Sequence, residues 1–92
     1  MRTIKMFEII YANLSRNITQ SEQGGIRPVI VIQNDVGNKF SPTVIVLPIT
    51  SEIKKENLPT HYVLHKTNKN GLDVDSMVLA EQIRVIDKSR LL

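Results

Sequence analysis

Four consecutive apolar residues, Val29-Ile30-Val31-Ile32, stand between Arg27-Pro28 and Gln33-Asn34 and constrain this chain more than any other stretch. The run is far shorter than the roughly 20 residues that a membrane helix needs, and it is rich in the β-branched side chains that favour strands. Apolar residues without alternation predict a strand covered on both faces, placed inside a sheet. Pro28 has no N–H to give to a ladder, so it predicts the strand's first residue or an edge position. It also biases Arg27 towards an extended backbone. Upstream, Ser21-Glu22-Gln23-Gly24-Gly25 is polar and glycine-bearing, the composition of a loop. A cation is thus set where a loop enters a rigid strand. That position suits a phosphate, and it suits a structural pair with a loop carboxylate such as Glu22 equally well.

The remaining segments supply partners for that strand. Residues 7–12 (FEIIYA) predict a first strand, and residues 13–25 a long polar loop of the kind that is usually functional or poorly ordered in a small domain. The core strand itself is read over residues 27–34. Residues 35–42 (DVGNKFSP) predict a turn, with Gly37-Asn38 suited to positive φ, and residues 43–47 (TVIVL) a second core strand antiparallel to the first. One or two helical turns are expected over residues 51–58, capped by Thr50 or Ser51 and stopped by Pro59. Residues 62–64, 76–80 and 83–86 read as short strands, residues 66–73 as a connection turning at Asn70-Gly71, and Asp87 or Ser89 as the cap of a last helical turn. Such a chain is mainly β with short helices, a small curled antiparallel barrel or sandwich. Residues 1–92 are read as one domain, since the length suits a single modest core.

Composition removes whole classes. With no cysteine there are no disulfides and no thiolate metal sites, which fits a reducing cytoplasm. Two tyrosines and two phenylalanines are too few for a broad base-stacking platform. A net charge of +3 permits a polyanionic partner without demanding one. No apolar run approaches a membrane span, and Glu8 interrupts the apolar N-terminal residues that might otherwise read as a signal peptide.

Among chemistry-bearing residues, Arg27 and Thr50 stand out, because one core strand's end can lie beside its neighbour's start. Thr50 also reads simply as a helix cap. His61 and His65 tempt a metal assignment, but four residues of strand span about 13 Å, too far for one ion. Asp73-x-Asp75 beside Gly71 reads as turn chemistry. Glu81-Gln82, between two apolar strands, reads as a bulge or as a hydrogen-bonding pair for a base edge. Nothing here forms a metal-ligand set, and no Ser-His-Asp context is present.

Together, EQGGIRPVIVIQND (residues 22–35), VGNKFSPTVIVLPIT (36–50), LPTH (58–61) and DSMVLAEQIRVIDKSRL (75–91) resemble the MazF/PemK toxins of bacterial toxin–antitoxin pairs, and most closely their Firmicutes branch. The resemblance implies a small SH3-like β-barrel working as a homodimer, and metal-independent, sequence-specific cleavage of single-stranded RNA without a cofactor. It implies products with 2′,3′-cyclic phosphate and 5′-hydroxyl ends, and neutralisation by a small antitoxin. Carried over by motif, the catalytic arginine falls on Arg27 and the catalytic threonine on Thr50. RNA contacts fall on Glu22, Gln23, Asn34, Ser51 and Gln82. The general base is left open, with Glu22 a candidate by type. Three departures stand out: Met6-Phe7-Glu8 replaces an Arg-Gly-Asp-type start, Thr19-Gln20 stands where a glycine is usual, and the sequence ends at Leu92, before the family's C-terminal helix. The last predicts uncovered apolar surface. Two rivals remain at this point, a gyrase-poisoning toxin of the same fold and a non-catalytic RNA-binding module.

Overall fold

The computed structural model describes residues 3–14, 25–53 and 58–92. The described elements are β1 (Ile9–Asn13), β2 (Ile26–Val31), α1 (Asp35–Phe40), β3 (Thr43–Thr50), β4 (His61–Leu64), β5 (Ser76–Leu79) and β6 (Arg84–Asp87), with 3-10 turns at Ala80–Gln82 and Lys88–Arg90. All strand pairings are antiparallel, and the order β1-β2-β3-β5-β4 has β6 added on β3.

β3 is the hub because it is long enough to serve three neighbours. One edge faces β2, while the other faces β6 along Thr43 to Val46 and β5 at Ile49 and Thr50. Between these two stretches the segment that links β5 to β6 makes the Ala80–Gln82 3-10 turn, opposite Leu47 and Pro48. Antiparallel rungs alternate between hydrogen-bonded and open pairs. The Lys88 N–H to Pro42 carbonyl bond fixes that alternation, and it aims the nitrogen of Pro48 at the interruption. The interruption sits where no donor exists.

The barrel closes on its far side. Leu91 bridges Ala12, and the Leu92 N–H donates to the Tyr11 carbonyl at 2.8 Å, so the end of the chain covers the outer edge of β1. Inside lies one apolar cluster that includes Ile10, Ala12, Val29, Val31, Val44, Val46 and Ile86. A smaller cluster of Ile49, Leu72 and Val78 forms on the other face of the sheet, with Ile9, Ile30, Leu47 and Leu64 half-buried against it. The unbroken apolar run of β2 is thereby explained: Val29 and Val31 fill the first cluster and Ile30 leans on the second.

Three expectations need correction. Residues 35–42 are not a turn: α1 forms because the Asn34 side chain caps it by accepting the Gly37 N–H at 2.9 Å, with Asp35 in the first turn and Lys39 in the last. Gly37 has no positive φ; instead a Cβ there would meet the Gln33 Cγ at 2.9 Å, so close approach is what requires glycine. β1 starts at Ile9 and not at residue 7, because Phe7 takes φ +70° and both the Phe7 N–H and the Glu8 carbonyl bond Val31, a bulge that offsets the ladder. Of the helical turns expected over residues 51–58, residues 54–57 lie outside the described residues, and the described residues 51–53 and 58 are not helical. The last helical turn is present as Lys88–Arg90, capped by the Asp87 side chain on the Ser89 N–H.

Candidate active site

Pro28 decides the geometry of the site. It is the third residue of β2, neither its first nor on an edge strand, since β1 and β3 flank β2 on either side. The ladder to β3 includes Val29↔Pro48, Ile30↔Leu47 and Val31↔Val46 and goes no further. The bond from the Ile32 N–H to the Ile45 carbonyl sets which rungs are hydrogen-bonded, and the next such rung would require an N–H from residue 28. Proline cannot supply it, so the hydrogen-bonded ladder ends there. Continued two residues beyond the last rung, the same register runs Arg27 towards Thr50. The missing donor leaves the ends of the two strands that carry the candidate residues without a backbone bond at that rung.

Parity along the strands puts both side chains on the barrel-filling face. Arg27 pairs with the fully buried Ala12 and alternates with Val29 and Val31; Thr50 continues the row of Val44, Val46 and Pro48. The row that fills the core turns polar at the barrel mouth. Thr50 is 5% exposed, and its Oγ1 accepts the Glu52 N–H at 3.1 Å, which fixes the hydroxyl and leaves its hydrogen able to donate. Arg27 is half-buried. Next to this pair lies a cleft of about 270 Å³ whose walls include Arg27, Ser51, Tyr11, Ile26, Asp73 and Val74.

The other expected contacts scatter. Ser51 adjoins Thr50 and lines the cleft. Gln82 ends the 3-10 turn beside the middle of β3, about three strand residues, or roughly 10 Å, from Thr50. Asn34 is brought to the opposite end of β2, where its side chain caps α1. Glu22 and Gln23 lie outside the described residues.

The two histidines are engaged separately. His61, whose side chain is 8% exposed, meets Glu81 at 2.7 Å, and the exposed His65 meets Asp75 at 3.2 Å. Burial works against the Glu81 charge, but the His61 hydrogen bond and further donors outweigh it and hold the carboxyl below its ordinary range. Asp75 is held low first by the Lys66 backbone N–H, at 2.8 Å, and then by His65. Among the described residues no three His, Asp or Glu side chains converge as a metal-ligand set. Asp73 was legible only as turn chemistry. Its place in the cleft depends on a long-range fold that local spacing does not encode.

Comparison with known proteins agrees with this architecture. Residues 5–92 match the family of the PemK-like, MazF-like toxin of type II toxin-antitoxin systems. The chain is 52% identical over 88 residues to endoribonuclease EndoA of Bacillus subtilis, covering 96% of this chain and 74% of that protein. It is 56% identical over 84 residues to endoribonuclease MazF of Staphylococcus saprophyticus, covering 91% and 68%. Among solved structures, MazF (Form-I) from Deinococcus radiodurans superposes with a TM-score of 0.78 at 26% identity, over 98% of this chain and 76% of that one. A mycobacterial endoribonuclease solved in complex with its cognate antitoxin shares the fold, with a TM-score of 0.67 at 18% identity over 99% and 72%. On this sequence identity, this coverage and this barrel, the chain belongs to the PemK-like, MazF-like toxins of type II toxin–antitoxin systems.

Proposed function

We propose that this toxin is an endoribonuclease that cuts single-stranded RNA, with Arg27 and Thr50 as the residues that meet the scissile phosphate. The observation that supports the proposal is the end of the β2–β3 ladder at Val29↔Pro48, beyond which the register runs Arg27 towards the fixed hydroxyl of Thr50.

The chemistry suits that pair. The RNA's 2′-hydroxyl loses its proton and its oxygen bonds to phosphorus, the bond to the 5′-oxygen breaks, and that oxygen takes up a proton. The products carry a 2′,3′-cyclic phosphate and a 5′-hydroxyl. The intermediate phosphorane concentrates negative charge on its non-bridging oxygens, and a partly desolvated guanidinium stabilises it with two aligned donors. Thr50 donates to one non-bridging oxygen or orients the attacking hydroxyl. Arg27 supplies the positive charge that the phosphorane needs, so the reading is metal-independent. The general base is carried by neither residue, and Glu22 keeps that candidacy by chemical type. Glu22, Gln23, Asn34, Ser51 and Gln82 extend the proposed RNA contact, with Ser51 next to the reacting phosphate.

The family places the chain opposite an antitoxin. The proposed working form is a cytoplasmic homodimer, with the antitoxin's disordered tail folding over the RNA groove. Among the described residues no helix is long and apolar enough to cross a membrane.

The test is to incubate the purified chain with single-stranded RNA in EDTA and map the product ends. Cyclic-phosphate ends that fall by about 10²- to 10³-fold in Arg27→Ala support the proposal. Intact RNA that remains bound would favour a non-catalytic RNA-binding module. Intact RNA together with inhibited DNA gyrase would favour the gyrase-poison reading.

A further inference from the structure

We infer that the cleft bounded by Tyr11, Ile26, Val74, Asp73 and Ser51 seats one nucleobase of the RNA next to the cut, and that Asp73 selects a base bearing an exocyclic amine. The inference rests on the proposed ribonuclease activity and adds a specificity-determining residue to it.

The cleft has a cationic side at Arg27 and an anionic one at Asp73. A phosphate suits the Arg27 side, whereas the Asp73 carboxylate would repel one and accepts well from an amine on a base edge. The apolar surroundings fit the same occupant. Tyr11, Ile26 and Val74 stay 40%, 63% and 52% exposed, large surfaces left open to water where a planar ring would cover them. A volume of about 270 Å³ lies just under the roughly 300–1,000 Å³ of pockets for drug-sized ligands, room for a base but not a longer segment. Arg27 lines the cleft too, so a base held here has its own phosphate within the arginine's neighbourhood.

The loop that carries Asp73 is built, not incidental. Asn70 accepts the N–H groups of Thr67 and Leu72 and donates to the His65 carbonyl, and Gly71 turns the chain at φ +75°. Asp75 clasps the Lys66 N–H and His65, and Ser76 bonds the Val74 carbonyl. Leu72 anchors the loop in the second apolar cluster. Asp73 itself is exposed. The frame fixes the backbone from which its carboxylate reaches the cleft.

Uracil alone lacks an exocyclic amine and has only its ring N3–H to donate between two carbonyl oxygens that a carboxylate repels, so Asp73 disfavours it relative to cytosine, adenine and guanine. The test is cleavage of a randomised single-stranded RNA pool by the purified chain, with the cut ends sequenced, for the parent, Asp73→Asn and Tyr11→Ala. In the parent, one position beside the cut prefers amine-bearing bases. In Asp73→Asn, whose amide both donates and accepts, that preference falls by about tenfold at that position alone, with an unchanged melting profile. In Tyr11→Ala, affinity for a non-cleavable RNA carrying a 2′-deoxy sugar at the cut falls by about tenfold. Cleavage with the same base preference in parent and Asp73→Asn overturns this inference alone. A change in oligomeric mass in Tyr11→Ala without a change in RNA affinity also overturns it, by assigning the face to protein contact. No cleavage by the parent overturns the activity and the inference together.

Discussion

The two ends of the β2–β3 pair differ in what their polar groups do. At the α1 end they satisfy one another. The Asn38 Nδ2 donates to the Gln33 carbonyl at 2.9 Å, the Gln33 Nε2 donates to the Thr43 carbonyl at 3.0 Å, and the Lys88 Nζ reaches the Asn38 carbonyl. Asn38 is 3% exposed, and Asn34 caps the helix above it. At the Pro28 end the ladder stops short, and Arg27, Ser51 and Asp73 line an open cleft beside the buried hydroxyl of Thr50. One end uses polar side chains to hold the fold together. The other leaves them lining an open cleft, and a missing backbone donor lies between the two regimes.

That contrast can be broken at either end. The largest expected effect is on chemistry: Arg27→Ala lowers the cleavage rate by about 10²- to 10³-fold, measured as initial rates on a single-stranded RNA, while thermal unfolding stays cooperative. Next comes the opposite end. Asn38→Ala leaves buried backbone and side-chain groups without partners, so it costs about 1–3 kcal/mol in denaturant unfolding, while the folded fraction still cleaves RNA. A large loss of specific activity in that variant would abolish the division of labour.

A finer test restores the missing donor. Pro28→Ala supplies an N–H facing Ile49, extends the ladder by one rung and pulls the ends of the strands together. The expected result is a cleavage rate lower by about tenfold, with the new residue 28 amide protected in hydrogen exchange. An unprotected amide with full activity would mean that Pro28 does not set the mouth of the barrel.

The smallest effect concerns the clasp beneath the cleft. The Lys66 backbone N–H and His65 lower the Asp75 pKa below its ordinary 3.8, so the charged form is favoured in the fold. Its contribution to stability is therefore present above that ordinary value and is lost as pH falls through the lowered one. Asp75→Asn should lower the thermal midpoint slightly near neutral pH, and the difference from the parent should shrink as pH falls below the ordinary carboxylate value and vanish once the lowered one is passed. A difference that persists in acid would assign the effect to shape and not to charge.

Much of this was legible in the residues. The run Val29 to Ile32 and the run Thr43 to Leu47 announced two core strands, because β-branched residues fit a pleated, covered surface. The α1 helix was missed for a reason that is also local. Asn34, Asp35 and Gly37 are turn-formers by type, and only the buried partners of Asn38 show that the helix wins. Arg27 and Thr50 were nameable from their motifs, whereas Asp73 was hidden in a turn, because no spacing rule relates residue 73 to a strand that ends 42 positions earlier at Val31.

The sequence by itself determined the strand-forming runs, the turn at Asn70-Gly71, the absence of disulfides and the family likeness. These rest on side-chain type and short-range periodicity, which act within a few residues. Tertiary structure alone decided that Pro28 faces the rung it cannot make, that the register beyond that rung runs Arg27 towards Thr50, and that the loop of Asp73 forms the cleft's other wall. Each of those depends on register between distant strands, which the buried rows of Val29, Val31, Val44 and Val46 fix by packing.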